Sequence, residues 1–153
     1  MFRVLALLMV AVLIAGVAAC GGTAPTPTPP SAGGALQVEG AWARPALAGA
    51  GSAAYLTIRN GTAAGDVLVG VSTTVAREAR VHETTTDASG MTGMHPVDSV
   101  AIAAGEELAF EPGGYHVMLS GLTKDIAAGD RFPLTLTFRQ AGTLTVPVEV
   151  RAS

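Results

Sequence analysis

The chain has 153 residues, a formal net charge of −3 and 49% hydrophobic residues, with 19 glycines and 9 prolines. That length suits one folded domain, and the absence of a basic stripe argues against nucleic-acid binding. Cys20 is the only cysteine, which excludes an intrachain disulfide and a cysteine-built zinc site, so a packed core must hold the fold.

Residues 1–19 place Arg3 ahead of an apolar stretch, Val4 to Ala19, that ends in small residues, the pattern of a secretory signal peptide. The stretch falls short of the roughly 18 to 20 residues of a membrane-spanning helix. Val17-Ala18-Ala19-Cys20 resembles a bacterial lipobox. By that resemblance, cleavage precedes Cys20, its sulfur takes a diacylglyceryl group, and the protein is lipid-anchored on the extracytoplasmic face of the cell membrane. Two or more acyl chains make a stable anchor, whereas one binds only marginally. Residues 20–35 follow as the lipidated cysteine and a Pro, Thr and Gly-rich linker with no core-forming pattern. At about 3.1 Å per residue, such a linker reaches up to roughly 45 Å. Residues 36–153 remain as the folded domain.

Short apolar runs separated by turn residues predict strands over Leu36–Trp42, Ala53–Arg59, Val67–Ser72, Arg80–Thr84, Met94–Val97, Val100–Ile102, Glu107–Phe110 and Tyr115–Ser120. Two more are the clearest. Phe132, Leu134, Leu136 and Phe138 share one parity, as do Leu144, Val146, Val148 and Val150. Period two with one apolar face marks a half-buried strand, and Gln140-Ala141-Gly142 predicts a hairpin between them. Pro147 has no N–H for a ladder, which predicts a last strand at an edge or carrying a bulge. Many short strands with regular turns and no sustained helical period predict an all-β Greek-key sandwich or barrel. Trp42, Tyr55 and Asn60 read as packing residues.

The chemistry collects between residues 82 and 118, which hold His82, His95, His116, Met91, Met94 and Met118. In a strand, His116 and Met118 point the same way, about 7 Å apart, while Tyr115, Val117 and Leu119 point to the core. A lone methionine in a β domain is usually core filler. An imidazole and a thioether sharing one face are another matter, since soft thioethers select Cu(I). Zinc and calcium normally draw thiolates or carboxylates instead. The carboxylates are scattered and suggest no acid/base pair.

At these residues the sequence resembles the periplasmic copper chaperones called PCu(A)C, whose fold is cupredoxin-like. Their signature is His, an optional Met, ten residues, Met, twenty-one residues, then His-x-Met. Here His82 is followed by Glu83 at the optional position, then by residues 84–93, Met94, residues 95–115 and His116-Val117-Met118. Ala41-Trp42-Ala43-Arg44-Pro45, Ala54-Tyr55-Leu56 and Pro112-Gly113-Gly114-Tyr115 are similar to family phrases. The resemblance implies a non-enzymatic Cu(I) carrier with ligands His82, Met94, His116 and Met118. It further implies delivery to the CuA centre of cytochrome c oxidase, directly or through another assembly protein. Met91 and His95 are extra and could form an auxiliary metal site. On a strand His95 faces away from Met94, and Met91 reaches the ion only if residues 85–93 form a mobile loop. Copper sequestration would use the same ligands, and a metal-free lipoprotein binding module would use none. A blue-copper electron carrier needs a thiolate, and Cys20 lies ahead of the linker.

Overall fold

The computed structural model describes residues 34–152. The predicted signal peptide, Cys20 and nearly all of the linker lie outside them. Ten strands follow one another: β1 (Leu36–Ala43), β2 (Ser52–Asn60), β3 (Asp66–Thr73), β4 (Ala76–Thr86), β5 (Thr92–Pro96), β6 (Val100–Ile102), β7 (Glu107–Phe110), β8 (Tyr115–Leu122), β9 (Arg131–Phe138) and β10 (Gly142–Val150). All ten predicted strands are present, and the domain is all-β.

The strands form one mixed sheet in the order β5-β4-β8-β7-β2-β1-β10-β9-β3-β6, with β8 also pairing β2 directly. The two ends of that order, β5 and β6, are consecutive in the chain, and β3 lies against β4. The sheet therefore wraps round a single core, which includes Ile58, Val117, Leu119, Leu134, Leu136 and Val148. Alternation does this work, since successive residues of a strand face opposite sides of the sheet.

One local device controls what faces outward. The register of β1 on β2 shifts between Glu39 and Trp42, where Gly40 adopts a φ of 62°. Glycine enters this left-handed region without steric cost and commonly marks such a bulge. Before the bulge, Leu36 and Val38 pack inward; after it, Ala41 and Ala43 do. Trp42, which shares the parity of Leu36 and Val38, is thereby turned to the outer face opposite Tyr55.

The expectation for Pro147 needs correcting. β10 is not an edge strand, because it pairs β9 along its length and β1 at its C-terminal end, Trp42 opposite Glu149 and Ala43 opposite Val150. Nor does its pairing with β9 shift. Pro147 sits opposite Pro133, and the pairing with β1 begins only past it, beyond the Gly40 bulge. Pro147 therefore has no β1 partner for the ladder bond that it cannot donate.

Asn60 is fully buried and its polar groups are all used. Its Nδ2 donates to the carbonyls of Ala64 (2.9 Å), Ala103 (3.0 Å) and Ile102 (3.2 Å), and its Oδ1 accepts from the N–H and hydroxyl of Thr62. It ties the end of β2 to the turns that follow β2 and β6.

Candidate metal centre

Strand β8 divides its residues sharply. Val117 and Leu119 are fully buried in the core, so His116 and Met118 face the other way. Strand β4 repeats the division, with Val81 in the core and His82 opposite. His82 and His116 are directly paired across the two strands, with ring centroids 5.8 Å apart and planes nearly perpendicular. Strand β5 then sets Met94 opposite Thr84, on the same face of β4 as His82. From the other flank, β2 sets Ala53 opposite Met118, and Tyr55 lies on that outer face. Its ring centroid is 6.4 Å from His116 and 4.6 Å from Trp42.

The result is an open pocket of about 240 Å³ lined by Arg44, Ala53, Tyr55, Thr84, Met94, Pro112, Gly113, His116 and Met118, with His82 beside His116. Exposure within it is uneven. His116 retains 4% of its surface, His82 and Met118 are half-buried, and Met94 retains 63%. Room for Met118 depends on Gly51, where a Cβ would lie 3.1 Å from the Met118 methyl carbon.

The Pro112-Gly113-Gly114 turn, with Gly113 at φ 90°, presents the Gly114 carbonyl 3.2 Å from His116 Nδ1. A carbonyl only accepts, so Nδ1 carries the proton and donates. Nε2 keeps its lone pair free for a metal, the arrangement usual for a ligating imidazole. The same carbonyl accepts the N–H of Thr84, which fastens the outer part of β4 to this turn. Burial, the neighbouring His116 and Arg80 all lower the pKa of His82 from its ordinary 6.5, with Glu78 opposing them. The neutral, ligating form of His82 is therefore favoured.

Two sequence candidates stand apart. His95 pairs with Glu83 on the opposite face of the β4–β5 hairpin, its ring lying over Gly93. Residues 85–93 are not a loop but the end of β4, a tight turn and the start of β5. Asp87 ties that turn by accepting from the N–H groups of Ser89 and Met91, while its own N–H donates to the Met91 carbonyl. Met91 is held at the hairpin tip, 69% exposed and outside the pocket lining. The optional-position residue, Glu83, faces Tyr115 across β4 and β8; burial and the Glu83 carboxylate raise the Tyr115 pKa.

Sequence reasoning missed Tyr55, Arg44 and Thr84 as pocket residues. Only the register of β2 and β4 against β8 brings them there, and no local pattern reports a register between strands distant in sequence. Among the described residues, no three of His, Cys, Asp or Glu group as they would round a harder ion.

Solved structures with this architecture define its class. The chain is similar to the copper-bound PCuAC domain from PmoF2, with a TM-score of 0.65 and 26% identity over 78% of this chain and 95% of that one. It is also similar to the Cu(I) form of DR1885 from Deinococcus radiodurans, with a TM-score of 0.58 and 33% identity over 78% of this chain and 81% of that one. The fold is that of the cupredoxin-like PCuAC domains. By sequence, the LpqE-like family matches residues 36–150. The chain is 31% identical over 151 residues to Lxx21020 of Leifsonia xyli subsp. xyli (strain CTCB07), which carries a lipoprotein name, covering 97% of this chain and 90% of that one. The protein belongs to the LpqE-like lipoprotein family.

Proposed function

We propose that the protein is a copper chaperone whose pocket carries one Cu(I) on His82, Met94, His116 and Met118. One observation carries this reading: two imidazoles and two thioethers from three strands share one face, with Met94, His116 and Met118 lining a pocket, His82 beside it, and no carboxylate in the lining among the described residues. Four neutral donors with two thioether sulfurs suit a soft monovalent ion better than zinc or calcium. The copper-bound relatives support it by likeness of fold and sequence.

Copper is cargo here, and it leaves by ligand exchange. The exposure of Met94 favours transfer over sequestration, since a storage site gains from enclosing every ligand. The proposed destination is the CuA centre of cytochrome c oxidase, reached through its copper subunit or another assembly protein. A lipid anchor at Cys20, on the extracytoplasmic face of the membrane, would confine donor and membrane-bound acceptor to one surface and raise their effective concentration.

Anaerobic titration of the purified protein with Cu(I) against a chromophoric chelator tests the site. One tightly held equivalent is expected, sharply weakened by Met118→Leu; no uptake, or indifference to Met118 and His116, would refute it. Deleting the gene tests the destination: oxidase activity should fall and recover with added copper.

A further inference from the structure

Among the described residues Arg44 is the one charged side chain lining the copper pocket, and it also lines the adjoining cavity of about 260 Å³ that shares Met118. Among the described residues no carboxylate lines either space. Its position is fixed from both ends. The Arg44 N–H donates to the Ala53 carbonyl at 3.1 Å, the Arg44 carbonyl accepts the Ser52 hydroxyl at 2.7 Å, and the guanidinium carbon sits 5.6 Å from the Tyr55 ring centroid. Such a cation–aromatic contact orients the group while leaving its charge uncompensated. Among the described residues Arg44 has no ion-pair partner. Arg80, which is opposite Met118 in register, is held by Glu78 at 2.6 Å.

A site that only had to retain Cu(I) would gain nothing from this arrangement, because like charges repel. With copper bound, the pocket mouth carries two positive charges and no negative one. The incoming ligand that complements it is soft and anionic. Resting on the copper reading above, we infer that Arg44 selects an acceptor whose first ligand is a cysteine thiolate, arriving beside Met94. The thiol loses its proton to water before attack. Its sulfur then donates an electron pair to copper, the bond to the Met94 thioether breaks, and the thioether leaves neutral. Copper stays Cu(I) throughout, so no oxidant or reductant is needed. Met94 is the ligand displaced because it is the most exposed of the four and lies on the short edge strand β5.

The test loads the full chain with one equivalent of Cu(I) without oxygen and follows transfer by stopped flow. The acceptors are two synthetic peptides in large excess, identical except that one carries Cys-x-x-Cys and the other Met-x-x-Met. At low salt, Arg44→Gln should slow transfer to the dithiol peptide about three- to tenfold, the scale of one unit charge acting within a Debye length. Arg44→Lys should restore most of the rate, high salt should erase the difference, and the thioether peptide should change less than about twofold. An unchanged dithiol rate, or equal slowing with both peptides, would overturn the inference. Failure of the unaltered protein to take up Cu(I) would overturn the copper reading, and this inference with it.

Discussion

Asn60→Ala removes five hydrogen bonds from a fully buried position without touching the pocket. Of the groups it strands, the Ile102 carbonyl is enclosed, whereas those of Ala64, Ala103 and Thr62 lie nearer the surface and can regain water. One stranded buried acceptor costs about 1–3 kcal/mol, and each part-buried bond lost about 0.5–1 kcal/mol after water replaces it. A destabilisation of at least about 3 kcal/mol follows, which for a domain of this size lowers Tm by roughly 10 °C or more. Asn60→Asp should be at least as harmful, because it keeps the acceptor, loses all three N–H donations and sets a carboxylate among carbonyls. Asn60 lies five residues beyond Tyr55 on β2, about 17 Å along the strand, so Cu(I) affinity of the folded variant should be unchanged. Thermal unfolding of the metal-free protein by circular dichroism, with a parallel copper titration, reads both quantities. A Tm shift under about 3 °C would contradict this role of Asn60, and so would a tenfold loss of affinity in the folded state.

Two further outcomes concern pH. Because burial, His116 and Arg80 lower the His82 pKa below 6.5, a proton competes with copper at His82 only at pH below 6.5. Affinity should be flat with respect to His82 above that value and fall below it, by no more than about tenfold per pH unit for each competing proton. Chelator competition across that range checks this; an affinity indifferent to pH would mean that histidine is not a ligand. The same lowered pKa costs the metal-free fold stability as pH falls below 6.5, since the unfolded chain takes up the proton first. Asp66 acts further down the scale. Burial raises its pKa, but hydrogen bonds from the backbone N–H groups of Gln140, Ala141 and Val67 outweigh burial and leave it below 3.8. Its contribution is present above pH 3.8 and is lost as pH falls through the lower folded value. Asp66→Ala should therefore destabilise by about 2 kcal/mol at neutral pH and flatten the acid limb of a urea-unfolding series.

How far the sequence reads can be traced through single elements. β9 and β10 are legible because each has one apolar face and nothing else competes with period two. β4 is found but undersized, predicted over Arg80–Thr84 and observed over Ala76–Thr86. Its C-terminal end runs past the core into exposed Thr85 and Thr86, and at its start only the small Ala76 and Ala79 touch the core, so neither end shows a strong alternation. Trp42 and Tyr55 are packing residues, as their type predicts, but they pack on the outer face, Trp42 against Tyr55 and Tyr55 in turn beside His116. The Gly40 bulge that puts Trp42 there depends on one residue's φ. Parity places His116 and Met118 on one face from local sequence alone. The pairing of His82 with His116 and of Met94 with Thr84 is a matter of register between strands, which only the fold, or a family spacing, supplies.

X-ray absorption at the copper edge of the Cu(I)-loaded protein measures directly the proposed shell of mixed nitrogen and sulfur round one copper ion. Two sulfur and two nitrogen scatterers are expected. One sulfur should be lost in Met94→Leu and one in Met118→Leu, and the shell should be unaltered by Met91→Leu or His95→Ala. A shell of nitrogen and oxygen alone, or a sulfur count that follows Met91 instead of Met94 or Met118, would contradict it.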